Sequence, residues 1–88
     1  MISQAQLNDI GGLLKQQMID ESSVNELRQK FPDIHFTYCM DDDVIAASPL
    51  HESETFNLYL IDSRNHCLSF TQDMEIATGV VVAEIEAA

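Results

Sequence analysis

Three consecutive carboxylates, Asp41-Asp42-Asp43, are the residues whose type most invites chemistry, because Ca²⁺ and Mg²⁺ demand oxygen ligands. The run lacks the spaced Asp-x-Asp-x-Asp-Gly pattern that wraps oxygens around calcium. Successive residues of an extended chain also point to opposite faces. A solvated, strand-ending turn is therefore expected, and docking against Lys or Arg of a partner is the use that suits it best.

Histidine and cysteine form a second constellation: His35, Cys39, His51, His66 and Cys67. His35, Cys39, His66 and Cys67 are the set that could handle a metal ion or an iron–sulfur cluster. His35 and Cys39 share one face of a strand but stand about 13 Å apart along it, at a rise of ~3.3 Å per residue. They cannot clasp one ion unaided, and no C-x-x-C or helical H-x-x-x-H pair occurs. His66 and Cys67 can join them only if strands align favourably. The plainer expectation is two buried thiols acting as small apolar groups, with exposed histidines.

Nucleophilic catalysis has little support. Cys39 near His35, or Cys67 beside His66, could be written as thiolate and base. Neighbours in a strand diverge, however, and acidic surroundings raise a thiol pKa. There is no Gly-rich phosphate loop and no nucleophile elbow. A protein without enzymatic activity and without a cofactor is expected.

Charge narrows the partners. Residues 1–30 hold Lys15, Arg28 and Lys30 against four acids, a balance of −1. Residues 31–88 hold Arg64 against eleven acids, a balance of −10, which completes the −11 of the whole chain. Such a field repels nucleic acid and anionic membrane and attracts basic protein surfaces. An acidic sheet can also imitate a phosphate backbone and occupy a basic groove. No stretch approaches the ~20 apolar residues of a membrane helix, and no signal peptide is visible. Reduced thiols in a cytoplasm are expected.

The elements that would carry these groups follow from periodicity, within a single domain over residues 1–88. Ser3 and Gln6 fit a capping box, and Leu7, Ile10, Leu14 and Met18 then form a helical stripe over 3–18. Gly11-Gly12 within it reads as a tolerated kink or a close crossing. A second helix is expected over 23–31, capped by Ser23 with Glu26 and stopped by Pro32. Residues 34–40 alternate as a strand, 44–47 suit a short return strand, and 48–53 suit a surface loop. Residues 55–62 and 67–72 form a hairpin, with Leu68 and Phe70 joining the face of Phe56, Leu58 and Leu60. Tyr59, on the opposite face with Asn57 and Ile61, is a candidate exposed patch.

The tail is ambiguous. Ala and Glu content favours a helix over 74–87, while Gly79 and Val80–Val82 favour a strand in which Val80, Val82, Glu84 and Glu86 alternate. With the helix, the class is α+β: an N-terminal helical hairpin packed on a three- to four-stranded antiparallel sheet, plus a C-terminal helix. The sheet's other face would stay partly wet. An edge strand can pair across a homodimer axis.

The series Phe36-Thr37-Tyr38-Cys39-Met40-Asp41-Asp42-Asp43, Phe56-Asn57-Leu58-Tyr59-Leu60, His66-Cys67-Leu68 and Ala77-Thr78-Gly79 resembles a family of small acidic proteins encoded near nitrogenase genes in nitrogen-fixing bacteria. That resemblance implies an accessory role in nitrogen fixation and transfers no catalytic residue. Two thiolates per chain would need a dimer or a partner to hold an iron–sulfur cluster. The leading expectation is an interaction protein that binds a basic protein surface through Asp41, Asp42, Asp43, Glu52 and Glu54.

Overall fold

The structure is a computed structural model that describes residues 2–44, 47–63 and 69–85. Two helices cover one face of a mixed five-stranded sheet among these residues.

Helix α1 (Gln4–Lys15) begins where expected. Ser3 Oγ accepts from the Gln6 amide at 3.1 Å, and Gln6 Oε1 accepts from the Ser3 amide at 2.9 Å. Leu7, Ile10 and Leu14 are buried. The helix ends a turn earlier than its stripe, so Met18 is 82% exposed rather than part of the core. Gly11 marks a close approach to the His51 ring, not a helix crossing.

Helix α2 (Glu21–Lys30) starts earlier than the sequence indicated. Its cap is Asp20, whose Oδ1 accepts from the Ser23 amide at 2.9 Å, while Ser23 Oγ accepts from the Asp20 amide at 3.0 Å. Ser23 is thus inside the first turn, not at the cap. Ile19 and Val24, at the positions of a hydrophobic staple, are both buried in the core and favour this start.

Strand β1 (His35–Met40) leads into a 3₁₀ turn at Asp41–Asp43. The chain then crosses to the opposite edge of the sheet, where β2 (His51–Glu52) pairs antiparallel with β3 (Phe56–Asp62). Val44 and Ala47 lie in this crossing and form no return strand; residues 45 and 46 fall outside the described set. β2 in turn occupies what the sequence marked as loop.

Strand β4 (Ser69–Thr71) pairs antiparallel with the far half of β3. Its register sets Phe70 opposite Ile61, so Phe70 shares the face of Tyr59 and Ile61, contrary to expectation. Leu68 lies outside the described residues.

Strand β5 (Gly79–Glu84) replaces the expected C-terminal helix. It lies between β1 and β3, parallel to the first and antiparallel to the second, so the sheet is mixed. The reason is burial on both sides. Val80 and Val82 join Phe56, Leu58, Leu60 and the helices in the main core, while Val81 and Ala83 join Tyr59 and Ile61 behind the sheet. A strand buried on both faces shows no alternation, and its β-branched residues pack well there. The second face is accordingly covered: Cys39, Val44 and Ala47 pack against it.

Candidate functional site

The expected acidic residues are separated in sequence, and the sheet register gathers them. Met40, at the end of β1, pairs with Glu84 of β5, and Glu84 pairs with Phe56 at the start of β3. Glu52 pairs with Asn57, and Glu54 lies in the β2–β3 turn. Asp41, Asp42, Asp43, Glu52, Glu54 and Glu84 therefore meet at one end of the sheet. Lys15, at the last turn of α1, lines grooves at this same end with Glu52, Glu54 and Glu84.

Asp41 is not a loose solvated carboxylate. Tyr59 Oη donates to its Oδ1 at 2.6 Å, and Asn57 Nδ2 donates to the same oxygen at 3.0 Å. Asp42 and Asp43 are exposed, as are Glu52 and Glu54. The turn is thus pinned by its first residue and presents the other two to solvent. Glu84, outside the expected acidic set, is pinned likewise: Tyr38 Oη donates to its Oε1 at 2.5 Å. Its signal was the Val80, Val82, Glu84 alternation of the strand alternative.

Tyr59 corrects a second expectation. It is only 4% exposed and forms an edge-to-face pair with Phe70, whose ring centroid is 5.7 Å away. It is a buried support for Asp41 rather than an exposed patch.

These pairings reach the acid–base properties of the site. The hydrogen bond to Glu84, with burial behind it, pushes the Tyr38 hydroxyl up to about 12. Burial and the bond to Asp41 raise Tyr59 as well. The Cys39 thiol is raised, first by burial and then by Asp43 and Asp41, so it is a poor nucleophile at neutral pH. Tyr38 and Tyr59 are the two tyrosines of the chain. An absorbance titration near 295 nm should find both ionising above the ordinary value near 10. Because the folded value is raised, the stability contributed by Tyr38 is whole below pH ~10 and is lost as pH climbs through about 12. In Tyr38→Phe this component of the alkaline stability loss should vanish. A tyrosine titrating normally in the folded protein would contradict the pairing.

The metal constellation is not assembled among the described residues, where no group of three or more His, Cys, Asp or Glu could hold an ion. His35 and Cys39 sit at opposite ends of β1, opposite Gly79 and Ala83 respectively. His66 and Cys67 lie outside the described residues. His51 is half-buried, not exposed. Its ring stacks on Phe56 at 6.0 Å, and its buried Nε2 has no hydrogen-bond partner among the described residues.

No helix among the described residues is long and apolar enough to cross a membrane. A model of a family of unknown function, DUF6129, matches residues 6–85. No curated protein and no solved structure matches the chain significantly.

Proposed function

Because the chain belongs to DUF6129, a family of unknown function, we propose from its own geometry that it is a non-enzymatic interaction protein whose acidic sheet end binds a basic protein surface. The observation that carries this reading is the convergence of Asp41–Asp43, Glu52, Glu54 and Glu84 on one end of the sheet, with Asp41 and Glu84 held in place by tyrosine hydroxyls. Carboxylates fixed before binding lose less freedom when they meet Lys or Arg, which favours complementarity with a basic surface. The resemblance to proteins encoded near nitrogenase genes directs the search for that partner to the nitrogen-fixation machinery, within the cytoplasm.

The test neutralises only exposed groups: Asp42→Asn, Asp43→Asn, Glu52→Gln and Glu54→Gln together, leaving Asp41 to Tyr59. Capture from a host extract should recover a basic protein with the wild type, less of it as salt rises. If each removed charge contributes roughly 0.4 kcal/mol, the fourfold variant should bind on the order of tenfold more weakly. A capture that yields nothing at low and moderate salt overturns the reading. Release of the partner by added DNA would instead identify the acidic end as an imitation of a phosphate backbone.

A further inference from the structure

We propose that the outer edge of β1 is a strand-addition site, taking an extended basic segment of a protein partner as an additional strand of the sheet. This rests on the acidic-surface reading above and names how the partner is held.

β1 is the terminal strand of the sheet, and among the described residues only β5 pairs with it. The His35 amide donates to the Thr78 carbonyl at 3.1 Å, so His35, Thr37 and Cys39 turn their backbone groups toward β5. Phe36, Tyr38 and Met40 consequently turn theirs outward. At Phe36 that outward carbonyl accepts from Arg28 Nη2 at 3.2 Å. The Met40 carbonyl is taken by the 3₁₀ turn that it caps, and among the described residues no hydrogen bond is seen to the outward N–H groups of Tyr38 and Met40 or to the Tyr38 carbonyl. The strand also lacks the usual edge protection: His35–Met40 contains no Lys, no Pro and no bulge. A groove of about 510 Å³ runs beside it, lined by Glu21 and Arg28 of α2 and by residues 35–38.

Charge selects the occupant. Asp20 and Glu21, at the start of α2, act electrostatically on Tyr38 together with Glu84. Asp42 and Asp43 lie in the 3₁₀ turn that follows the strand. An extended segment with alternating Lys or Arg would gain main-chain hydrogen bonds from Tyr38 and from the Met40 N–H, and ion pairs from these acids. A second copy of the chain, at −11, would bring like charges together along the same edge.

The test uses a ten-residue peptide of alternating lysine and valine at low salt, with a block peptide of the same composition as the control for charge. The alternating peptide should bind more tightly and slow hydrogen exchange at the Tyr38 and Met40 amides at least tenfold. Met40 has φ −84° and ψ 144°, which proline accommodates, so Met40→Pro removes one outward N–H without disturbing the β5 pairing. It should weaken binding at least tenfold. Arg28→Gln, which frees the Phe36 carbonyl and removes the guanidinium charge beside the groove, should tighten binding severalfold. Unchanged affinity in both variants, with amide changes confined to Asp42, Asp43, Glu52 and Glu54, overturns strand addition and leaves the acidic surface standing. No binding of either peptide overturns both. Concentration-dependent protection of the same amides without peptide assigns the edge to a second copy and also overturns the proposal.

Discussion

Gly79→Ala should lower the melting temperature by roughly 15 °C, taking a cost of about 3 kcal/mol for an overpacked site and the usual conversion for a domain this small. A methyl group at Gly79 would stand 2.5 Å from the backbone oxygen of His35 and 3.0 Å from both His35 Cβ and Ile61 Cγ1. None of these is the free end of a flexible side chain. Relief requires β1 to part from β5, and with it the Met40–Glu84 pairing that brings the Asp41 turn to the acidic end. Gly12→Ala is the control: nothing lies within 4 Å of its added carbon, so it should gain up to ~1 kcal/mol of helix propensity. Thermal unfolding followed by circular dichroism separates the two. A Gly79→Ala protein melting within a few degrees of wild type would refute the parallel pairing of β1 with β5.

Phe56→Ala should cost about 3–5 kcal/mol, the usual loss for a fully buried phenylalanine. At roughly 0.05–0.15 kcal/mol per residue, an 88-residue chain holds about 4–13 kcal/mol in all, so this variant is expected to be marginal. Phe56 is fully buried, and its ring stacks on His51. Its loss therefore removes core volume and the support of β2 in one step. Glu52 and Glu54 should lose their fixed position, while the Tyr59–Asp41 bond, on the other face, should persist. Urea unfolding measures the global cost, and the His51 ring resonances report the local one. A midpoint close to wild type would show that the core collapses around the gap, contrary to expectation.

The acidic site was half legible in the residues themselves. Asp41, Asp42, Asp43, Glu52 and Glu54 announce themselves by type, because carboxylates have few uses other than solvation, cation binding and contact with basic groups. That Asp41 is held by Tyr59 and Asn57, and that Glu84 belongs with them, depends on which strands are neighbours. The same holds for Phe70, which a register choice moved to the other face.

What the chain's order of residues determined by itself is local: the Ser3–Gln6 cap, the Leu7–Ile10–Leu14 stripe, the alternation of residues 34–40 and 55–62, and a total charge of −11. These follow from a repeat of 3.6 or 2 residues and from counting charges, neither of which needs a partner element. Only the tertiary structure decided that the tail is a strand, that it enters between β1 and β3, and that acids from three separate stretches of the chain share one end. The physical reason is burial on both faces. Once Val80 and Val82 face the helices and Val81 and Ala83 face the crossing chain, no period remains to distinguish strand from helix, and the choice passes to the hydrogen bonds offered by β1 and β3.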